Sequence, residues 1–131
     1  MVGFTEEGER VAGWPEVAYE SIRAINHLTG HVPIPAPTLH QVLGDLKGVG
    51  HLLPQALEQL ARGLRASLVE FEVYDHRREP GESVAEAIGL LCRAARKAAD
   101  LGQLLEDAQA AISEQGYRAP DDTNPLLPGE W

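Results

Sequence analysis

The chain has 131 residues, which is enough for one domain with an apolar core of its own. Its formal net charge of −9 repels phosphate backbones, so the composition argues against general nucleic-acid binding. Hydrophobic residues make up 44% of the chain and aromatic residues only 5%. Because leucine and alanine supply most of the apolar content, the composition favours close-packed helices over sheets.

Three sequence features bear on where the protein works. The first residues lack a basic start followed by an apolar run, which argues against a signal peptide. No stretch approaches the roughly 18 uninterrupted apolar residues that predict a membrane span. Cys92 is the single cysteine, so no intrachain disulfide forms, and we expect a small buried or half-buried thiol. We therefore expect a cytoplasmic protein.

The first predicted element is a short N-terminal helix, helix A, at about 15–29. Residues 1–14 are acidic and contain glycine, which predicts a flexible arm. Pro15 suits the first position of a helix because it needs no N–H partner there. Gly30 is a natural stop. The apolar face of helix A comprises Ala18, Ile22, Ile25 and Leu28.

Residues 31–37 contain three prolines at alternate positions, which predict an extended strap rather than a helix. The alternative is a ligand for a proline-recognition domain. The strap is favoured because the segment lies between two helical patterns.

Helix B is predicted at about 39–74. Thr38 and Gln41 have the spacing of a capping box. The pattern keeps its phase across Pro54, which predicts a kinked helix; the alternative is a full break near residues 48–53. Apolar or small residues recur at alternating intervals of four and three for most of the run, which is a heptad pattern. They are Leu39, Leu43, Leu46, Gly50, Leu53, Leu57, Leu60, Leu64, Ser67 and Phe71.

Helix C is predicted at about 83–115, after a turn at residues 75–82. Ser83 and Glu86 form a second capping-box spacing, and Gly116 is the expected terminator. The heptad pattern of helix C comprises Ala87, Leu91, Ala94, Ala98, Leu101, Leu105, Ala108 and Ile112.

Folding helix C back on helix B predicts an antiparallel hairpin. The matched heptads place Ala108 opposite Gly50 and Ala98 opposite Leu60, with the centre of symmetry at Glu79 in the turn. Several layers then pair a large residue with a small one. The fold class is therefore all-α: a hairpin of two long helices with helix A packed on it, together a single helical-bundle domain at 15–117.

Apolar residues also flank both heptads, and a stripe this wide needs a third layer. Helix A supplies part of this layer and a second subunit the rest, so we expect a homodimer. The flanking residues are Val42, Val49, Leu52, Ala56, Leu68 and Val69 on helix B, and Ile88, Leu90, Ala95, Ala99, Leu104 and Ala111 on helix C.

A cluster of cations is the main polar candidate. The predicted register brings Arg62 and Arg65 beside Arg93, Arg96 and Lys97, which suggests a site for an anion or an acidic partner. The alternative is a solvated face with ordinary helical ion pairs.

The tail, residues 118–131, is acidic and contains three prolines, which predicts a flexible segment. Its apolar residues Leu126, Leu127 and Trp131 suit docking into a partner groove. The alternatives are docking on the chain's own bundle and simple disorder.

Metal binding and catalysis have little support in the sequence. His27 and His31 have a spacing that can bind a metal on a helix, but Gly30 intervenes and no further ligand completes a set. No arrangement of a catalytic nucleophile, a phosphate loop or paired carboxylates is recognisable. We expect no enzyme and no cofactor.

Two segments carry a resemblance to known proteins. They are Leu-Pro-Gln-Ala-Leu-Glu-Gln-Leu-Ala at 53–61 and Ala-Ala-Asp-Leu-Gly-Gln-Leu-Leu-Glu-Asp-Ala-Gln at 98–109. Over residues 38–117 the chain resembles small uncharacterised helical proteins of actinobacterial genomes and integrative elements. The resemblance implies an accessory or regulatory role and transfers no site residue.

The leading hypothesis is a non-enzymatic, homodimeric interaction protein that acts through protein contacts. The first alternative is a transcriptional or mobile-element regulator that touches nucleic acid through the basic cluster. The second is an enzyme or small-ligand binder with a cavity at the Pro54 kink.

Overall fold

The computed structural model describes residues 6–120, with side chains described from residue 11 onward. These residues form three helices and no strand: α1 (Glu6–Thr29), α2 (Ala36–Glu70) and α3 (Pro80–Ala111). The chain divides between Ile34 and Pro35 into two compact units. In the second unit α2 and α3 pack against each other. The predicted all-helical fold with a long helical hairpin is confirmed.

Helix α1 begins at Glu6, nine residues before the predicted start, so Pro15 lies inside the helix. The predicted arm is therefore wrong for residues 6–14. An internal proline removes one hydrogen bond, which this helix of 24 residues tolerates. The apolar side chains of α1 are largely exposed, with Trp14 at 73%. The unit boundary falls inside the predicted 15–117 domain, and the packing of helix A on the hairpin stays a prediction.

Helix α2 begins at Ala36, after Pro35 in an extended conformation and without a side-chain cap. The predicted capping box is therefore wrong, because Thr38 already lies inside the helix. The helix can begin before Thr38 because the first N–H groups of a helix have no partner within it. Pro37 therefore lies in the first turn without the loss of a hydrogen bond. The segment between the helices is correspondingly shorter, with residues 32–35 in neither helix nor turn and Pro35 extended.

Helix α2 continues through Pro54 for a total of 35 residues. The predicted continuity is confirmed, and the alternative of a full break near residues 48–53 is wrong. The helix ends at Glu70, four residues before the predicted end, where the Phe71 N–H donates to the Ser67 carbonyl at 3.0 Å.

Helix α3 begins at Pro80, with Glu79 as its extended N-terminal neighbour and no side-chain cap. The second predicted capping box is also wrong, since Ser83 lies inside the helix, with its hydroxyl oxygen 3.1 Å from the Pro80 carbonyl oxygen. Proline at the first helical position is already set to the helical φ, so it starts the helix before Ser83 can cap it. The helix ends at Ala111, short of Gly116.

The contact between α2 and α3 has small residues near the middle of its length and larger apolar residues on either side. Its fully buried apolar residues are Ala36, Leu43, Ala61, Val84, Ala95 and Ala98, and Gly50 and Gly102 are buried with them. We call the buried and half-buried positions between the helices the closing seam; on α3 they recur at 84, 88, 91, 95, 98, 102 and 105. The predicted heptads are therefore partly wrong. Leu53, Leu60 and Leu101 lie outside the closing seam, between 37% and 50% exposed.

Candidate functional site

Gly50 and Gly102 meet backbone to backbone between the two helices. A Cβ added to Gly50 would lie 2.6 Å from Gly102 Cα, and one added to Gly102 would lie 3.0 Å from the Gly50 carbonyl carbon. Such an approach leaves no room for a side chain between the backbones. The predicted register, with Ala108 opposite Gly50, is therefore wrong by six residues, or about 9 Å along the helix.

One side of the hairpin is fastened by polar contacts, and we call it the polar face. His51, which follows Gly50, forms a hydrogen bond with Glu106, with 2.9 Å between Nε2 and Oε1. Nearby, Gln109 Nε2 donates to the His40 carbonyl oxygen at 2.9 Å. These contacts fix which sides of α2 and α3 lie together.

The opposite side carries an apolar surface. Successive residues of a helix point about 100° apart, so Val49 and Leu101, which precede the two glycines, project away from the polar face. On this side, residues recur at intervals of three and four within 42–63 of α2 and within 87–108 of α3. All of them are apolar or small except Lys97. We call this surface the apolar face: Leu46, Val49, Leu53, Ala56 and Leu60 on α2, and Ala87, Leu90, Ala94, Leu101, Leu104 and Ala108 on α3.

All the large side chains of the apolar face except the half-buried Leu46 are substantially exposed. Six of them range from 37% exposed at Leu53 to 65% at Leu104. The face is about 32 Å long and two helices wide, which gives on the order of 600 Å² in projection. A monomeric protein rarely exposes a contiguous apolar patch larger than a few hundred Å². The apolar face is therefore the main candidate interaction surface of the molecule.

Sequence reasoning predicted an uncovered apolar stripe but placed its centre elsewhere. It assigned Leu53, Leu60 and Leu101 to the contact between the helices and Ala95 to its flank, whereas the structure reverses these positions. Gly102 played no part in the prediction. Its spacing from Ala95 and Ala98 is the signal in the sequence that could have revealed the closing seam.

The basic cluster is only partly brought together. Arg93, Arg96 and Lys97 border one cleft on α3, and Asp100 lines the same cleft and supplies an opposing charge. The six-residue change of register moves Arg62 and Arg65 about 9 Å along the axis from the places that the prediction gave them. The register that supported a five-cation site is therefore lost, and an anion or partner site there stays a prediction.

The turn between α2 and α3 is ordered by short-range polar contacts. Asp75 accepts a hydrogen bond from the Arg77 backbone N–H at 2.9 Å, and Arg78 pairs with Glu86 at 2.6 Å. The Ser83 hydroxyl, followed by the Arg77 N–H, holds the pKa of Asp75 below its ordinary value. Hydrogen bonding to Glu86 holds the pKa of Arg78 above its ordinary value. These charged groups bind one another within the turn and the start of α3, so we assign no ligand to the turn.

The lowered pKa of Asp75 predicts a pH effect. Its carboxylate stabilises the fold at neutral pH, and this contribution is lost as the pH falls through the lowered pKa. Replacing Ser83 with alanine is expected to raise the NMR titration midpoint of the Asp75 carboxyl, because the first hydrogen bond is removed. Replacing Ser113, which lies beyond α3, is the control. An unchanged midpoint in the Ser83 variant would contradict the assignment.

The remaining predictions concern the tail, Cys92, metal binding and membrane spans. Leu126, Leu127 and Trp131 lie beyond the described residues, so tail docking stays a prediction. Cys92 is a free, half-buried thiol as predicted. Within residues 6–120 no three His, Cys, Asp or Glu side chains are grouped so that they could hold a metal ion. In the same part of the chain no helix is long and apolar enough to span a membrane.

Comparison with known proteins adds no further assignment. The apolar face, the polar contacts opposite it and the small-residue seam therefore carry the functional argument by themselves. No protein-family model, no curated protein and no solved structure matches the chain.

Proposed function

We propose that the protein is a non-enzymatic interaction protein that acts as a homodimer, with the apolar faces of two copies packed together. The observation that carries the proposal is the distribution of side-chain size. Near the middle of the hairpin the helices meet on glycine and alanine, at Gly50, Ala61, Ala95, Ala98 and Gly102. Six leucine and valine side chains of the apolar face, by contrast, are between 37% and 65% exposed. A second helical layer gives these outward side chains the burial that the hairpin alone does not.

The gain from covering the face is comparable in size to the cost of association. Six side chains about half exposed recover roughly 1 kcal/mol each when they are buried, or about 12 kcal/mol for two copies. Association costs about 4–15 kcal/mol in lost translational and rotational freedom. Stable interfaces bury about 800 Å² on each partner, which a face on the order of 600 Å² in projection approaches.

The charge distribution favours a second copy as the occupant. The chain carries a net charge of −9, so two copies repel each other over most of their surfaces. On the apolar face Lys97 is the only charged position, and it lies at the outer edge of α3. Two identical faces can therefore meet without burying like charges, whereas the acidic remainder of the surface opposes other modes of self-association.

Replacing Val49 with glutamate is the direct test. Val49 is 52% exposed on the apolar face, so the free chain accommodates the carboxylate. In the homodimer, however, two carboxylates enter an apolar interface. We expect the dissociation constant to rise by about 100-fold or more, equivalent to about 2.7 kcal/mol. Light scattering at micromolar concentration measures the mass, and circular dichroism verifies that the helices remain.

Val69→Glu is the matched control, because it makes the same chemical change on the same helix. Val69 is 85% exposed and lies on the polar-face side of α2, so this variant should stay dimeric. The proposal is wrong if the unaltered protein has the mass of one chain at micromolar concentration. It is also wrong if both variants remain dimers with unchanged affinity.

A further inference from the structure

We propose that the two hairpins of the homodimer lie with their turns at the same end, so that α2 of each copy packs on α3 of the other. This inference rests on the proposed homodimer and specifies its geometry. It follows from an asymmetry within the apolar face, because the rows nearest the closing seam on the two helices differ in side-chain size.

Beside the closing seam, helix α2 contributes a row of leucines and helix α3 a row composed mainly of alanines. On α2 the positions nearest the closing seam are Leu46, Leu53 and Leu60. The corresponding row on α3 is Ala87, Ala94, Leu101 and Ala108. Cores pack best when large side chains face small ones. The leucine row of one copy is therefore complementary to the alanine row of another.

The heights of these residues along the hairpin support the match. Because Gly50 lies opposite Gly102, Leu60 lies level with position 92, which is between Ala87 and Ala94. Leu53 lies level with position 99, which is between Ala94 and Leu101. A two-fold axis parallel to the helices leaves every height unchanged. The leucines of α2 then project into the gaps of the partner's alanine row.

The reversed arrangement packs less evenly. With the turns at opposite ends, α2 would lie on the partner's α2 and α3 on the partner's α3. Leucine rows would then meet each other along one half of the interface and alanine rows along the other half. The first half would be crowded and the second would leave gaps, and each fault costs stability.

Distances between spin labels distinguish the two arrangements. The full chain carries Cys92→Ser, which removes the single native cysteine, and Glu82→Cys, which places one label beside the turn. With both turns at one end, we expect a distance of about 15–30 Å between the two labels, set by helix packing distances. With the turns at opposite ends, the same labels would be more than about 40 Å apart.

Asp100→Cys in the same background is the control, because position 100 lies on the outer side of α3 but level with the middle of the apolar face, and so gives a distance below about 40 Å in either arrangement. A dimer in which the position-82 labels are more than about 40 Å apart overturns the inference and leaves the homodimer intact. A sample with the mass of one chain overturns the homodimer and the inference together. A short distance at both positions supports the aligned arrangement.

Discussion

Replacing Gly50 with alanine is expected to lower the free energy of unfolding by about 2 kcal/mol. The added Cβ would lie 2.6 Å from Gly102 Cα and 2.9 Å from Gly102 N. Both are backbone atoms, so no rotamer change relieves the contact and the helices must separate. Alanine recovers up to about 1 kcal/mol through its higher helix propensity, but this gain is smaller than the cost of overpacking, which reaches about 3 kcal/mol.

Gly48→Ala is the control for this effect. It lies in the same helix two residues away, and a Cβ there would meet nothing within 4 Å. The control variant should therefore be more stable than the unaltered chain by up to about 1 kcal/mol. Urea unfolding at one fixed chain concentration measures both variants, so that any dimerisation is held constant. Equal stabilities of the two variants would show that the glycine contact does not form.

The helices could be predicted from the sequence because their causes are local. Leucine and alanine at helical spacing, with turn residues between the runs, are sufficient to place α2 and α3 and the hairpin that joins them. The helix starts were misplaced because prolines were treated as barriers. Pro37 and Pro80 lie in the first turns of their helices, where a missing N–H costs nothing. Thr38 and Ser83 therefore lie inside the helices that they were expected to cap.

The register could not be predicted because it depends on a contact between distant parts of the chain. On α3 the predicted and observed contacts share Leu91, Ala98 and Leu105. Between these positions the prediction placed Ala94 and Leu101, whereas the structure buries Ala95 and Gly102. A close backbone approach such as that of Gly50 and Gly102 favours small residues at the contact between the helices. The register that supported the five-cation site was wrong, so that site stays a prediction without this support. An uncovered apolar stripe was predicted from its width alone.

Replacing Ala95 with leucine tests the closing seam and is expected to cost about 3 kcal/mol. Ala95 is only 3% exposed, the lowest value among the buried apolar residues, so three added carbons must force α2 and α3 apart. A loss of this size is a large fraction of the total stability of a small domain. Thermal and urea unfolding would both show it as a lower midpoint.

Ala99→Leu makes the test specific. The register predicted from the sequence places both Ala95 and Ala99 beside the contact between the helices, so it predicts equal effects for the two variants. In the structure Ala99 is exposed, on the polar-face side of α3, so the added carbons meet solvent and the change should stay within about 0.5 kcal/mol. Equal losses for the two variants would favour the register predicted from the sequence. A loss confined to Ala95→Leu would support the observed contact at Ala95, Ala98 and Gly102, which leaves Leu53, Leu60 and Leu101 exposed on the apolar face.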